Sequence, residues 1–167
     1  MPIINEKQLK KWPKAILKKY EAAKQSTDFK IVPVEEKSLD AFYILIQPTG
    51  GHYRGQTHIL VFRTRSGTDC LFPFTSPRVK FLTKIWHPNI SVNGSICLDI
   101  LKDPSKWAPT YDINAVVSSI ILLMDVPNNS SPFNGQAADL FRRCEKKYNS
   151  DNNGLSVEER TTTHDPF

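Results

Sequence analysis

Three segments rich in β-branched and aromatic residues follow one another in the first half of the chain. They cover residues 29–34, 41–47 and 58–65, and a shorter fourth segment covers residues 79–82. Turn-forming residues lie between them, at positions 48–51 and 66–69. Because strands separated by turn residues pair with their neighbours in opposite directions, this pattern predicts a four-stranded antiparallel meander.

Helical periodicity flanks the predicted sheet on both sides. A first helix is predicted to begin at Pro13, and its apolar face consists of Ile16, Leu17, Tyr20 and Ala23. A second helix is predicted after Asp112, which is a good N-cap residue. Its buried stripe consists of Ile113, Val116, Val117, Ile120, Ile121 and Met124. A last helix is predicted over residues 136–148, with an apolar face made of Ala137, Leu140, Phe141, Cys144 and Tyr148.

The order of these elements predicts an α+β fold. It has an N-terminal helix, a four-stranded antiparallel meander, a long loop, and then two or more helices. A length of 167 residues suits one domain. We expect this domain to cover residues 1–149, followed by a polar and mobile C-terminal tail over residues 150–167.

Basic residues are concentrated near the N-terminus. Lys and Arg number 22 against 17 Asp and Glu, and seven of the lysines lie within residues 7–24, where Glu21 is the single acid after Lys7. Such a helix face is more typical of a solvated or protein-docking surface than of a nucleic-acid reader. No apolar run approaches the roughly 18 residues of a membrane helix, and no signal peptide is visible. We therefore expect a cytoplasmic or nuclear monomer without nucleic-acid or membrane partners.

The three cysteines form no Cys-x-x-Cys pair, and the four histidines show no ligand spacing with them. This pattern predicts neither a disulfide framework nor a metal site, and it leaves at least one thiol free. No phosphate-binding glycine loop is present either, so we expect no directly bound cofactor.

Residues 86–109 show no dominant period, and a loop of this length in a compact domain is usually functional. Asn93-Gly94 is a strong turn signal within it, so the chain can double back and bring Asn89 close to Cys97. A thiolate attacks acyl carbons, and an amide donor stabilises the resulting oxyanion, so this pair suggests acyl transfer. The alternative is a buried, inert cysteine. Similarly, His87 is either a general base or a structural hydrogen-bonding residue.

Several motifs together resemble those of the ubiquitin-conjugating enzymes, which carry ubiquitin as a thioester. Residues 72–79 (FPFTSPRV) resemble the family's Tyr-Pro-Phe-x-Pro-Pro corner, residues 84–90 (KIWHPNI) its His-Pro-Asn signature, and residues 93–101 (NGSICLDIL) the block around its cysteine. Residues 53–55 (YRG) are similar to its Tyr-x-Gly hairpin, and residues 107–109 (WAP) to its Trp-x-Pro loop. The resemblance covers roughly residues 16–148.

This resemblance implies roles for individual residues. Cys97 would receive the C-terminal carbonyl of ubiquitin from an activating enzyme, which consumes the ATP, and would pass it to a substrate lysine. Asn89 would donate to the oxyanion or hold the loop that shapes the site. His87 would keep the corner in place rather than act as a base.

The resemblance also implies partners. Pro73, Phe74, Trp107 and Pro109 would form the surface that ubiquitin ligases of the RING or HECT type bind, and the lysine-rich first helix would dock the activating enzyme. The simpler reading is that proline corners stiffen loops and that lysines keep a helix soluble.

Three departures from the family pattern stand out. Residues 98–106 are two residues longer than in the commonest members, which makes the ligase preference uncertain. The family's acidic gate residue falls on Ser131, which carries no charge. We therefore expect slower catalysis, use of another acid such as Asp99 or Asp103, or activation by phosphorylation. The usual final helix has no clear counterpart.

Other functions stay open at this point. A conjugating enzyme for another ubiquitin-like modifier would share these motifs. A non-catalytic ubiquitin-binding variant of the fold is a second alternative, although Cys97, Asn89 and His87 together argue against it. A free-standing cysteine hydrolase is weaker, because no second histidine with an orienting Asn or Asp can be placed near Cys97.

Overall fold

The computed structural model describes residues 14–36, 38–66 and 70–151 of the chain. Side chains are described in these ranges except at positions 66, 70, 71, 145 and 147–151. Helices pack against a central antiparallel sheet, which confirms the α+β class expected from the sequence.

The main sheet is a four-stranded meander. Its strands are β1 (Phe29–Glu35), β2 (Ser38–Ile46), β3 (His58–Arg63) and β6 (Arg78–Phe81), paired in that order. A small ribbon of β4 (Arg65–Ser66) and β5 (Cys70–Leu71) lies between β3 and β6 in the chain.

The third strand is shorter than predicted, and the reason is Thr64. Its backbone N–H donates to the Asp40 carbonyl at 2.9 Å, and its hydroxyl donates to the Leu39 carbonyl at 2.8 Å. These bonds end β3 at Arg63, so residue 65 belongs to the ribbon instead. The side chain of Thr64 is buried, and its hydroxyl is satisfied by the bond to Leu39.

Helix α1 (Lys14–Ala23) packs against the sheet through its apolar face. Ile16, Tyr20 and Ala23 are buried as predicted, while Leu17 is half-buried. The Tyr20 ring stacks on the Phe42 ring of β2, with centroids 5.1 Å apart. The predicted start at Pro13 and the first three lysines lie outside the described residues.

Two short helices interrupt the loop that precedes the next long helix. Residues 86–109 were expected to lack regular structure, but they contain α2 (Asp99–Lys102) and a 3₁₀ helix (Pro104–Lys106). The Asp103 carboxylate caps the 3₁₀ helix by accepting from the Ser105 N–H at 2.9 Å. Elements this short show no hydrophobic period, which is why the sequence did not reveal them.

Helix α3 (Ile113–Asp125) covers the same core. Asp112 caps it as predicted, because its carboxylate accepts from the Ala115 N–H at 2.8 Å, an interaction worth about 1 kcal/mol. Leu123 belongs to the buried stripe, whereas Ile121 is only partly buried. Leu123 lies three residues after Ile120 and therefore on the same helix face.

The last described helix is α4 (Gly135–Asp151). Asn134 caps it by accepting from the Ala137 N–H at 3.1 Å. Ala137, Ala138 and Phe141 are buried, but Leu140 is 43% exposed, so the predicted apolar face was wrong at that position. The helix touches the core through a narrow face centred on Phe141, and Leu140 lies beside that face. The described helix continues two residues past the predicted domain boundary at residue 149, and residues 152–167 lie outside the described residues.

Candidate active site

The site is built by a chain segment that doubles back on itself. His87 and Ile96 each form a β-bridge with Ile90, and the Cys97 N–H donates to the Asn89 carbonyl at 2.8 Å. The reversal passes through Gly94, whose φ of 80° is a left-handed conformation that favours glycine. The predicted turn therefore exists, and it brings Asn89 and Cys97 together.

His87 is fully buried, and both of its ring nitrogens are hydrogen-bonded. Nδ1 accepts from the Asn89 N–H at 3.0 Å, and Nε2 lies 3.0 Å from the Leu123 carbonyl oxygen, to which it must donate. The ring packs near the rings of Tyr53 and Phe141. Burial lowers its pKa to about 4, so the imidazole is neutral near pH 7. This arrangement leaves no free nitrogen to take a proton from a reactant.

Asn89 is also fully buried, and its side-chain amide joins two loops. Nδ2 donates to the Asn128 carbonyl at 2.7 Å, and Oδ1 accepts from the Asn128 N–H at 2.8 Å. These two bonds hold the segment 128–131 against the cysteine loop. Of the two predicted roles, holding the loop is the one for which the structure shows bonds. No described residue accepts from the second hydrogen on Nδ2.

Cys97 lies at the end of the turn, next to Leu98, the N-cap residue of α2, and is 8% exposed. Its thiol is 3.6 Å from the Ser131 carbonyl oxygen, to which it donates. Its second polar neighbour is Lys102, whose Nζ donates to the sulfur at 3.2 Å. A thiol in contact with a cationic amine is typical of reactive rather than inert cysteines.

Lys102 was not anticipated from the sequence. Its amine lies 5.0 Å from the centroid of the Phe133 ring, in a cation–π contact, and at the same time contacts the Cys97 sulfur. The spacing of five residues from the cysteine becomes a contact because residues 99–102 form α2. In the sequence, Lys102 is marked only by its position five residues after Cys97. That spacing predicts a contact only if the residues between them are known to form a helix.

Ser131, at the position of the family's acidic gate residue, lies next to the thiol. Its backbone carbonyl makes the contact with Cys97, and its side chain is exposed. Ser131 precedes α4, whose N-cap is Asn134. The acid Asp103 is exposed and committed to the Ser105 hydroxyl and N–H, and these bonds lower its pKa. Asp99 is exposed at the first position of α2.

Comparison with known proteins agrees with these motifs. Residues 15–154 match the family model described as "Ubiquitin-conjugating enzyme", which is more than half of the chain. The chain belongs to the ubiquitin-conjugating enzyme family. This family member retains the corner, the turn and the cysteine in one connected arrangement.

Individual relatives carry the same family name. The chain is 48% identical over 77 residues to "Ubiquitin-conjugating enzyme E2 2" of Mycosarcoma maydis, which covers 46% of this chain and 40% of that protein. It is 37% identical over 101 residues to "Ubiquitin-conjugating enzyme E2-20 kDa" of Schizosaccharomyces pombe, covering 60% and 54%. A Trichoderma harzianum "Ubiquitin-conjugating enzyme E2 2" is 34% identical over 116 residues, covering 70% and 73%. The matched stretch thus spans less than two thirds of the first two of these relatives.

The predicted ligase-facing residues of this family member divide into two pairs. Pro73 is buried, and its carbonyl accepts from the Trp107 indole N–H at 2.8 Å, while Trp107 itself is half-buried. Phe74 is 72% exposed, and Pro109 is exposed as well. The first pair therefore ties the two loops together, and the second pair is accessible to a partner.

The described lysines of α1 differ in exposure and bonding. Lys14, Lys18 and Lys24 are exposed, whereas the Lys19 amine donates to the Tyr111 carbonyl at 2.6 Å and to the Thr110 carbonyl at 3.2 Å. Partial burial lowers the pKa of Lys19. Lys19 thus joins α1 to the loop after Pro109. Of the exposed lysines on the described part of the basic face, Lys24 pairs with Glu21 at 3.4 Å.

Among the residues that the structure describes, no group of three or more His, Cys, Asp or Glu side chains is placed to hold a metal ion. Of the helices in the described ranges, none combines the length and the apolar character needed to cross a membrane.

Proposed function

We propose that this protein is a ubiquitin-conjugating enzyme that accepts ubiquitin from an activating enzyme as a thioester on Cys97 and transfers it to substrate lysines, usually with a ubiquitin ligase. The observation that carries the proposal is the Cys97 thiol, which is held at the end of the 89–97 turn in contact with the Lys102 amine. Family membership supports it independently.

The first step would be an exchange of thioesters. The Cys97 thiolate attacks the carbonyl carbon of the ubiquitin thioester on the activating enzyme, and the sulfur of that enzyme leaves. Lys102 supports this step because its amine, in contact with the sulfur, stabilises negative charge there. ATP is consumed by the activating enzyme in making its own thioester, so this chain needs no nucleotide site.

The second step would be aminolysis. An uncharged substrate amine attacks the carbonyl carbon of the Cys97 thioester, and a tetrahedral oxyanion forms. The C–S bond then breaks, the Cys97 thiolate leaves, and the nitrogen releases a proton to water. Asn89 supports the step by holding segment 128–131 beside the sulfur, and its remaining N–H is a candidate donor to the oxyanion. His87 supports it by pinning the corner to α3 through Leu123.

A charging assay tests the proposal. The protein is incubated with ubiquitin, an activating enzyme and ATP, and the products are run on non-reducing and reducing gels. We expect one added ubiquitin that is lost on reduction, absent in Cys97→Ala and retained in Cys144→Ala, the matched change of the other described thiol on α4. Charging by another ubiquitin-like modifier alone would change the assigned substrate. No charging by any modifier would favour a non-catalytic binding module.

Ser131 has its own test in the discharge step. A negative charge next to the thioester would help to orient and deprotonate an incoming lysine, and the side chain of Ser131 carries no charge. We therefore expect Ser131→Asp, a mimic of phosphorylation, to speed the transfer of ubiquitin to free lysine. If Ser131→Asp and Ser131→Ala both leave this rate unchanged, the residue has no role in discharge.

The partners follow from the same proposal. Phe74 and Pro109 would meet the ligase, with Pro73 and Trp107 supporting them, and the exposed lysines of α1 would meet the activating enzyme. A cytoplasmic or nuclear location and a monomeric state stay predictions from the sequence.

A further inference from the structure

The two polar contacts of the Cys97 sulfur differ in what they can stabilise. The Ser131 carbonyl oxygen, 3.6 Å away, is an acceptor, whereas the Lys102 amine donates to the sulfur at 3.2 Å. Discharge of a thioester passes through a tetrahedral intermediate whose negative oxygen is two bonds away from this sulfur. Such an oxygen is stabilised by hydrogen-bond donors, so of these two groups Lys102 is the one suited to it.

The position of the Lys102 amine also suits a donor to that oxygen. Oxyanion donors act at about 2.7–3.1 Å from the oxygen. The oxygen turns about the C–S bond, so an amine in contact with the sulfur reaches it with a small movement. A hydrogen bond from a charged donor is about twice as strong as one from a neutral amide such as that of Asn89.

The Lys102 amine has donors to spare. A lysine ammonium carries more N–H groups than the one directed at the sulfur. In the described part of the chain no group accepts from the others, and the ion pairs found there do not include Lys102. Within those residues, the charge of Lys102 is therefore not paired with a carboxylate.

The Phe133 ring keeps the amine beside the sulfur. Its centroid lies 5.0 Å from the Lys102 Nζ. The backbone N–H of Phe133 donates to the Pro88 carbonyl at 2.8 Å, which fixes the ring to the loop that carries His87 and Asn89. A cation–π contact attracts an ammonium without neutralising it. Lys102 thus remains a charged donor at a defined position.

We propose that Lys102 is a catalytic residue of the discharge step: its ammonium donates to the thioester carbonyl oxygen as negative charge develops there. The acceptor amine attacks the carbonyl carbon, and the π electrons of the C=O bond move onto the oxygen, which accepts from Lys102. The C=O bond then re-forms, the C–S bond breaks with its electron pair left on sulfur, and the acceptor nitrogen releases a proton to water. Lys102 keeps its own proton throughout and meets the departing thiolate through the existing contact.

This inference rests on the proposed thioester chemistry, and isolated charged protein keeps the two apart. The protein is charged with ubiquitin, and the activating enzyme is stopped by chelating Mg²⁺. Loss of the thioester is then followed with free lysine and, separately, with hydroxylamine, a small nucleophile that is uncharged at neutral pH and needs no docking site. A group that only positions or deprotonates the acceptor lysine affects the first reaction, whereas an oxyanion donor affects both.

We expect Lys102→Gln, which removes the charge, to slow both reactions by a similar factor, on the order of tenfold. Lys102→Arg keeps a charged donor, and we expect it to stay within about threefold of the wild type. Lys106→Gln is the matched control, because Lys106 is an exposed lysine in the adjoining 3₁₀ helix and its loss changes the net charge equally. We expect Lys106→Gln to discharge at the wild-type rate.

The inference is overturned, with the proposed function intact, if Lys102→Gln discharges at the wild-type rate or is slow with free lysine alone. Equal losses in Lys102→Gln and Lys102→Arg would also contradict it, as would the same loss in Lys106→Gln. If too little charged Lys102→Gln forms, Phe133→Leu decides in its place: slowing of both reactions supports the inference, and unchanged rates contradict it. A wild-type protein that never charges contradicts the proposed function instead.

Discussion

His87 and Asn89 are two buried polar side chains whose hydrogen bonds fix the shape of the loop around Cys97. His87 bonds to the backbone of Asn89 in its own loop and to that of Leu123 on α3, and Asn89 bonds to the backbone of Asn128. Burial strengthens such bonds and makes their loss costly. The sequence motif identified both residues, but their bonding partners became visible only in the folded chain.

The burial of His87 predicts a pH-dependent stability. In the unfolded chain His87 titrates near the ordinary histidine pKa of 6.5, whereas in the folded protein its pKa is about 4. Between these values the unfolded state binds a proton that the folded state excludes, so the free energy of unfolding falls as the pH falls. We expect its contribution to fall by about 2 kcal/mol between pH 7 and pH 5.

Urea unfolding of the wild type and of His87→Gln at both pH values checks this expectation. His58, whose pKa is also lowered by burial, contributes with the same sign but is present in both proteins. The difference in stability between wild type and variant should therefore shrink by about 2 kcal/mol on going to pH 5. A difference that stays constant would show that His87 is protonated equally well in the folded state.

Asn89→Ala separates the two roles considered for this amide. Without the side chain, the Asn128 N–H loses its acceptor, and we expect the free energy of unfolding to fall by about 1–3 kcal/mol. Hydrogen exchange at the Asn128 amide should accelerate as discharge to lysine slows. Slower discharge with unchanged exchange at Asn128 would instead assign Asn89 to the oxyanion alone.

Among the elements, the clearest dependence of the site on the sheet is the junction between β6 and the 89–97 turn. The Phe81 N–H donates to the Gly94 carbonyl at 2.9 Å, which ties the turn to the end of the strand. A Cβ built at Gly94 would lie 2.1 Å from the Phe81 carbonyl oxygen. Only glycine therefore satisfies both the close approach and the positive φ at this position.

Gly94→Ala and Gly55→Ala form a matched pair that isolates this close approach. Both glycines have φ near 80°, at 80° and 75°, but nothing lies within 4 Å of a Cβ at Gly55. We expect Gly55→Ala to cost about 1 kcal/mol of unfolding free energy from backbone strain, and Gly94→Ala more than about 3 kcal/mol. Equal losses in urea unfolding would mean that the turn can move away from β6 at little cost.

Prediction from sequence succeeded for the elements in which the apolar period repeats several times. It failed for those too short to show a period. The four strands of the meander and helix α3 repeat their apolar positions often enough to identify their buried faces. Helix α2 has only four residues and no buried face of its own, so its contact between Lys102 and Cys97 had no signal. Leu140 was wrongly predicted to be buried, because the hydrophobic period of a helix does not show how wide a face the core covers.

In the whole molecule, the sheet, α1 and α3 form one packed body, and the 89–97 turn is bonded to it. Aromatic rings connect the two ends of this body in the order Tyr20, Phe42, Phe62, Phe72 and Trp107, with adjacent centroids 5.1 to 6.4 Å apart. Trp107 then bonds to Pro73, and Lys19 of α1 bonds to Tyr111. The exposed Phe74 and Pro109 are therefore held on the same body as Cys97.

Discharge from isolated charged protein tests the central claim most directly, namely that Cys97 holds an acyl group for transfer to an amine. The thioester is formed, the activating enzyme is stopped by chelating Mg²⁺, and free lysine is added while the thioester is followed on non-reducing gels. We predict that lysine speeds the loss of the thioester in proportion to its concentration and that ubiquitin-linked lysine appears. A thioester that decays at the same rate with and without lysine would contradict the claim.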